Sequence, residues 1–313
     1  MSAFSQPNGQ ARRIIVVGLG SIGRRHVRLL RGRSDLRVEV CEPSSDARNR
    51  ATPEIEGLTV HADFGRALAT RPDMLLIATP HSLHAKQAIA GLQSGAHVLC
   101  EKPLCMAADE AVRMVACARD SGRTLAVGFQ LHFQPCMIRA RQIVRSGTIG
   151  NVVHAHARVG SYIILRNCLS RYQETIEGSL LWDYSHQPDL LFWLLDELPC
   201  GVSLTGLKGG NLPLSSEPNV LALTLDYDRP LLATVHLNYV QMPQCQTSWK
   251  TSRFEHPCRL EPPSTNSLWY LYDTEGKVCR VGRFTGHRRS TCSRRSAFPV
   301  MPATRFRHPR CSK

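Results

Sequence analysis

No stretch of this chain is both long and apolar enough to span a bilayer. The first apolar run, Ile14 to Ile22, is closed by Arg24 and Arg25 well short of the roughly 20 residues a spanning helix needs, and no longer run follows. Arg12 and Arg13 ahead of it resemble the charged start of a secretory signal, but the glycines inside the run have a better use, so the expectation is a soluble, cytoplasmic protein with no membrane partner. The twelve cysteines include no C-x-x-C pair and no His/Cys cluster at zinc spacing. Reduced thiols are the simpler reading, with Cys41 and Cys100 closing apolar runs where free cysteine behaves as a small buried hydrophobe. Internal repeats are absent as well.

A formal charge of +14 would point toward nucleic acid or an acidic surface. Its distribution says otherwise: residues 245–313 hold 14 of the 39 Lys/Arg and 4 of the 25 Asp/Glu, leaving residues 1–244 at 25 against 21, a net of +4. The tail's arginines are mixed with cysteines and isolated apolar residues. They are neither clustered on a helix nor interleaved with stacking aromatics, so a nucleic-acid partner is not expected.

What is present is a chain of 313 residues, long enough for two packed cores at about 150 residues each. From Arg13 to about Val127 short β-branched runs (Ile14–Val17, Val38–Cys41, Met74–Ala78, His97–Cys100, Thr124–Val127) alternate with helical stretches (Ser21–Arg31, Phe64–Ala69, Leu83–Ser94, Ala107–Ser121). That alternation is how βαβ units of a doubly wound parallel α/β sheet read. After a helical stretch Met137–Ser146, the runs Val152–Val159, Val220–Asp226 and Leu231–Leu237 alternate as in an open, mainly antiparallel sheet, with an apolar helix Pro188–Leu195 between. The expected division is a disordered 1–11, a Rossmann dinucleotide-binding domain 12–133, a truncated α+β substrate and oligomerisation domain 134–244 with an incomplete sheet, and a basic, Cys-rich tail 245–313 that is disordered or frameshifted.

Gly18-Leu19-Gly20-Ser21-Ile22-Gly23 follows a strand and opens a helix. In that context the glycines let the backbone turn tightly and approach a pyrophosphate, which the helix N-terminus attracts. Glu42, 24 positions after Gly18 at the end of the second strand, can accept the ribose hydroxyls and would repel a 2′-phosphate, so NAD is favoured over NADP; Arg48 and Arg50 temper that repulsion. Thr79-Pro80-His81-Ser82-Leu83-His84 joins the third run to a helix, with Ser82 placed to cap it. His81 and His84 lack a third ligand nearby, so no metal is expected and a packing role on the cofactor side is preferred. Glu101-Lys102-Pro103 lies at the carboxyl edge of the sheet, where open α/β sheets bind ligands; alone, Lys102 reads better as a solvated surface lysine. Asp183 and His186, three apart, open the apolar helix, and a histidine there suits proton transfer to or from an alcohol while the acid orients it or the substrate; taken alone, the pair reads first as an Asp helix cap with a histidine in the first turn.

Together, GLGSIGRRH, IATPHSLHAKQAIAGLQSGAHVLCEKPL and LLWDYSHQPDLLFWLL resemble the glucose-fructose oxidoreductase / inositol dehydrogenase / rhizopine-catabolism family over roughly residues 12–243. The resemblance implies an NAD(P)-dependent oxidoreductase acting on a carbon of a sugar, cyclitol or related polyol, homo-oligomeric when intact. It implies Lys102, Asp183 and His186 as catalytic residues. The implied cofactor set is Gly18, Gly20, Ser21, Ile22, Gly23, Glu42, Thr79, Pro80, His84, Glu101 and Lys102. A catalytically silent dinucleotide-binding regulatory protein is the alternative, disfavoured by retention of all three catalytic residues. The chain departs from the family where Glu177-Gly178-Ser179 replaces a Gly-rich run and where His132 replaces an arginine. It departs most after residue 243. There the hydrophobic period vanishes, five cysteines fall within 69 residues, and only Trp269–Tyr272 reads as a strand, as a reading-frame shift near Gln244 would produce.

Overall fold

The computed structural model describes residues 11–161, 165, 172–209, 212 and 214–241, together with the backbone of three strands within 268–307. The expectations for residues 1–10 and for the remainder of the tail lie outside the described residues. The chain divides into two compact units, 1–129 and 130–313.

The first unit is a six-stranded parallel sheet in the order β3-β2-β1-β4-β5-β6, built from β1 (Arg12–Val17), β2 (Leu36–Cys41), β3 (Thr59–His61), β4 (Met74–Ile77), β5 (His97–Cys100) and β6 (Leu125–Val127). β1 pairs with β2 and β4 on either side, so the strand order reverses beside the loop that follows β1. Its crossover helices include α1 (Ser21–Leu30), α2 (Ser45–Arg50), α3 (Thr52–Ile55), α4 (Phe64–Ala69), α5 (His84–Gln93) and α6 (Ala108–Asp120). One core cluster packs Ile15, Val17, Leu75, Ile77, Leu92 and Met114; the other packs Ile14, Val16, Val27, Val38, Val40 and Leu76. Adjacent residues of β1 thus feed opposite layers, the expected pattern for a strand covered on both faces. Cys41 and Cys100 are fully buried, and burial foremost pushes their thiols up to about 11 and about 12.

The second unit carries a seven-stranded sheet in the order β12-β11-β7-β10-β9-β8-β13. Its members are β7 (His154–Gly160), β8 (Gly201–Leu207), β9 (Val220–Asp226), β10 (Leu232–Asn238), β11 (Leu268–Tyr272), β12 (Val278–Arg283) and β13 (Thr304–Arg307). The sheet is mixed: β7 and β10 run parallel while every other described pair is antiparallel. The unit also contains the helices α7 (Pro135–Arg145), α8 (Tyr172–Thr175), α9 (Ser179–Asp183) and α10 (His186–Leu195). Alternate residues of the strands (Ala155, Ala157, Leu223, Val235, Leu237) are buried in one cluster with Met137 of α7 and Leu190 and Leu194 of α10. Among the described residues, no helix is long and apolar enough to cross a membrane.

Candidate active site

The loop Gly18–Gly23 shows three distinct reasons for glycine. Gly18 has φ +93°, and a Cβ there would stand 2.7 Å from the Ala78 carbonyl oxygen. At Gly23 a Cβ would fall 1.9 Å from the Gly18 oxygen, so helix and loop touch only because it is missing. A Cβ at Gly20 would meet nothing within 4 Å, so close packing within the protein does not account for that glycine. Open backbone at the start of a helix suits an anionic group that must come close. Glu42 lies beside this loop: its carboxylate accepts the Leu19 N–H at 2.8 Å and the Ser44 N–H at 3.0 Å. Arg48 is drawn off by the carbonyls of Glu42 and Pro43, each at 2.7 Å, rather than by the carboxylate.

Two more loops leave the same edge of the sheet. After β4, Ser82 lies within a short 3₁₀ turn, His81–Leu83, and α5 starts at His84 without a side-chain cap, so the expected capping role is not taken up. His84 is fully buried, with Nδ1 2.8 Å from the Pro103 carbonyl oxygen and Nε2 3.0 Å from that of Thr79. It therefore staples the loop after β4 to the loop after β5, and its ring nitrogens are committed to backbone. Thr79 Oγ1 donates to Gln87 at 2.6 Å. Glu101, the first residue past β5, pairs through Oε1 with His26 Nε2 of α1 at 2.7 Å. Burial works to raise its pKa, but the hydrogen bond and charge of His26, with the N–H and charge of Lys102, hold it below the ordinary value. Lys102 and Pro103 follow, half-buried and buried respectively.

In the second unit Asp183 ends α9 instead of capping α10. Its carboxylate gathers the hydroxyls of Tyr172 and Tyr239 and, at 3.1 Å, the Gln173 amide. Tyr239 is fully buried, and burial, then the Asp183 charge, drives its hydroxyl pKa far up, so it stays a donor to the carboxylate. His186 is the first residue of α10, half-buried. One turn on, Asp189 pairs with His132 at 2.7 Å, while the His132 ring stacks on Trp193 with centroids 4.6 Å apart. Burial raises the Asp189 pKa against the opposing pull of His132.

Residues 12–129 match the sequence model of the glucose-fructose oxidoreductase / inositol dehydrogenase / rhizopine-catabolism oxidoreductases, described as an oxidoreductase family with an NAD-binding Rossmann fold. The match to this family thus lies over the first unit. A 2,7-anhydro-N-acetylneuraminate hydratase of Escherichia coli K12 is 26% identical over 226 residues, 70% of this chain and 60% of the relative. Inositol 2-dehydrogenase 2 of Saccharopolyspora erythraea is 31% identical over 188 residues, 58% of this chain and 53% of the relative. The chain thus spans about half to three fifths of the curated relatives it matches. The fold is shared with scyllo-inositol dehydrogenase from Lactobacillus casei, solved with NAD(H) and scyllo-inositol, at TM-score 0.72 and 17% identity over 91% of this chain and 80% of that one.

Within this family frame, the structure brings Gly18–Gly23 and Glu42 together, and places Thr79, His84, Glu101 and Lys102 on adjoining loops of one sheet edge. Sequence reasoning missed His26, Tyr172, Gln173 and Tyr239. The signal for His26 was in the text of the quoted GLGSIGRRH motif, but nothing local says that it reaches residue 101. Tyr239 lies 56 residues from Asp183 and carried no signal at all.

Proposed function

We propose that this chain is an NAD-dependent oxidoreductase moving a hydride between nicotinamide and a carbon of a sugar, cyclitol or related polyol. The observation that carries the reading is the glycine loop with open space at Gly20 and the Glu42 carboxylate bonded to its Leu19 N–H. The loop and the start of α1 would hold the pyrophosphate, and Glu42 would exchange its backbone partners for ribose hydroxyls, disfavouring a 2′-phosphate. The cofactor, when bound, supplies the hydride acceptor or donor. Lys102 would hydrogen-bond and polarise the reacting hydroxyl from the sheet edge. His186 would accept or return its proton, and Asp183, anchored by Tyr172, Gln173 and Tyr239, would orient the substrate or the histidine. A cytoplasmic location, and in an intact relative a homo-oligomer through the open sheet, belong to the same reading.

The test combines calorimetric titration of the full chain with NAD and NADP and absorbance assays of NAD reduction with myo-inositol, scyllo-inositol and a panel of sugars. NAD should bind more tightly than NADP. Lys102→Ala should remove most turnover, on the order of 10²-fold or more, with NAD affinity within about twofold, and His186→Ala should flatten the pH profile near neutrality. Tighter binding of NADP would overturn the role of Glu42, and NAD binding without turnover of any polyol would favour the regulatory alternative.

A further inference from the structure

We propose, resting on the dehydrogenase reading above, that His26 is a positioning residue: its ion pair with Glu101 locks the backbone of Lys102 to the helix that opens at the dinucleotide loop. His26 lies in α1, five residues after Ser21, and its Nε2 stands 2.7 Å from Glu101 Oε1. The other carboxylate oxygen accepts the Lys102 N–H at 3.3 Å. Glu101 is itself pinned by its N–H to the Ile77 carbonyl at 2.9 Å, extending the β4–β5 pairing by one residue. The carboxylate occupies a space that exists only because residue 128 is glycine: a Cβ there would stand 2.8 Å from Glu101 Oε2. Beyond the lysine, His84 holds the Pro103 carbonyl oxygen at 2.8 Å. The Lys102 peptide is therefore gripped on both sides, by His26 through Glu101 and by His84 through Pro103.

A lysine reaches its target through four flexible methylenes, so its useful geometry depends on where the backbone starts them. A misplacement of about 1 Å can cost on the order of 10²-fold in rate. The pair also has an electrostatic task. Glu101 adjoins Lys102, and without the His26 hydrogen bond its carboxylate would turn more of its charge on the lysine and favour the ammonium form. That hydrogen bond draws the carboxylate toward α1 and leaves the lysine to the substrate oxygen. The link spans 75 residues of sequence and joins the element that would receive the pyrophosphate to the residue that would act on the substrate.

The experiment uses the full chain with lysines dimethylated by carbon-13 formaldehyde, a change that keeps their charge. With six lysines in the sequence, the Lys102 signal is assigned by its loss in Lys102→Arg. Its pH titration is recorded on the labelled chain, and NAD binding and turnover of scyllo-inositol on the unlabelled one. His26→Leu should raise the Lys102 titration by about half a pH unit or more and lower kcat about tenfold, with the NAD dissociation constant within about twofold. Gly128→Ala, which displaces the carboxylate from the other side, should reproduce both effects. His26→Gln, which keeps a donor near Nε2, should keep titration and kcat close to the wild-type values. A His26→Leu protein with the wild-type titration and kcat overturns the proposal, as does a His26→Gln protein as impaired as His26→Leu. If His26→Leu does not fold, Gly128→Ala decides by the same criteria. A shifted titration with no turnover even in the wild-type chain supports the link and overturns only the dehydrogenase reading.

Discussion

At the scale of single residues, the glycine loop separates two demands that one motif conceals. Gly23 is required by the fold, since a Cβ would sit 1.9 Å from the Gly18 oxygen, whereas Gly20 faces open space. Gly23→Ala should therefore destabilise the first unit by about 3 kcal/mol, because the atom that must give way is backbone. Gly20→Ala should change stability by less than about 1 kcal/mol while weakening NAD binding by about tenfold or more, because the added methyl fills the approach of the pyrophosphate. Urea denaturation paired with calorimetry reads both, and equal stability loss in the two variants would refute the distinction. The motif was legible in the sequence; which glycine served which purpose was not, because clashes with Ala78 and Gly18 appear only when loop, strand and helix are assembled.

At the scale of elements, the segments built on apolar runs were readable and the polar ones were not. β5 and α4 match their sequence ranges residue for residue, but β3, three residues long, and the helices α2 and α3 passed unnoticed. Thr59–His61 and Ser45–Arg50 hold one apolar residue each, so neither presents an apolar run or face to read; β3 exists because β2 offers it partners at Glu39, Val40 and Cys41. The same edge carries an acid that sequence reasoning had no cause to single out. Glu39 is only 2% exposed, in ion pairs with Arg13 at 3.2 Å, Arg37 at 3.4 Å and His61 at 2.8 Å. Burial would raise its pKa, but the hydrogen bonds of His61 and Arg13 and their charges hold it below the ordinary value. Because the folded pKa is depressed, the stability this group contributes is complete above the unfolded value of 4.5 and is lost as pH falls through the lower folded value. Glu39→Gln should cost about 2 kcal/mol near pH 7, with the gap from the wild type closing below about pH 4. Denaturation midpoints across that range check it, and a gap that widens toward acid would contradict the sign.

At the scale of the whole molecule, the second sheet has a centre and two edges of different origin. The central strands β7, β10, β9 and β8 all lie within residues 154–238, and β7, β9 and β10 alternate between core and outer face. β11 and β12 extend one edge and β13 the other, and all three come from beyond residue 244. We propose that this region entered by a change of reading frame near codon 244. Divergence keeps the binary pattern that buries a core, whereas a shifted frame erases it at once. Determining the coding DNA tests this: an alternative frame downstream should encode alternating strands and a closing amphipathic helix. If neither alternative frame does, the proposal fails. A shifted tail would leave poorly matched edges on the sheet, so the purified chain should aggregate more readily than a chain carrying the restored frame.

What the sequence by itself determined was local. β-branched runs alternating with helical stretches specify a parallel, doubly wound sheet, and glycines spaced between a strand and a helix specify an anion-ready loop, because both signals lie within one βαβ unit. Tertiary structure alone decided the pairings between distant residues. It set β7 parallel to β10 in a sheet whose strands otherwise read alike, brought Tyr172, Gln173 and Tyr239 onto Asp183, and closed His26 onto Glu101. Period 2 and period 3.6 fix which face a side chain takes, but not which distant element that face will meet. That choice is made by burying the whole core at once.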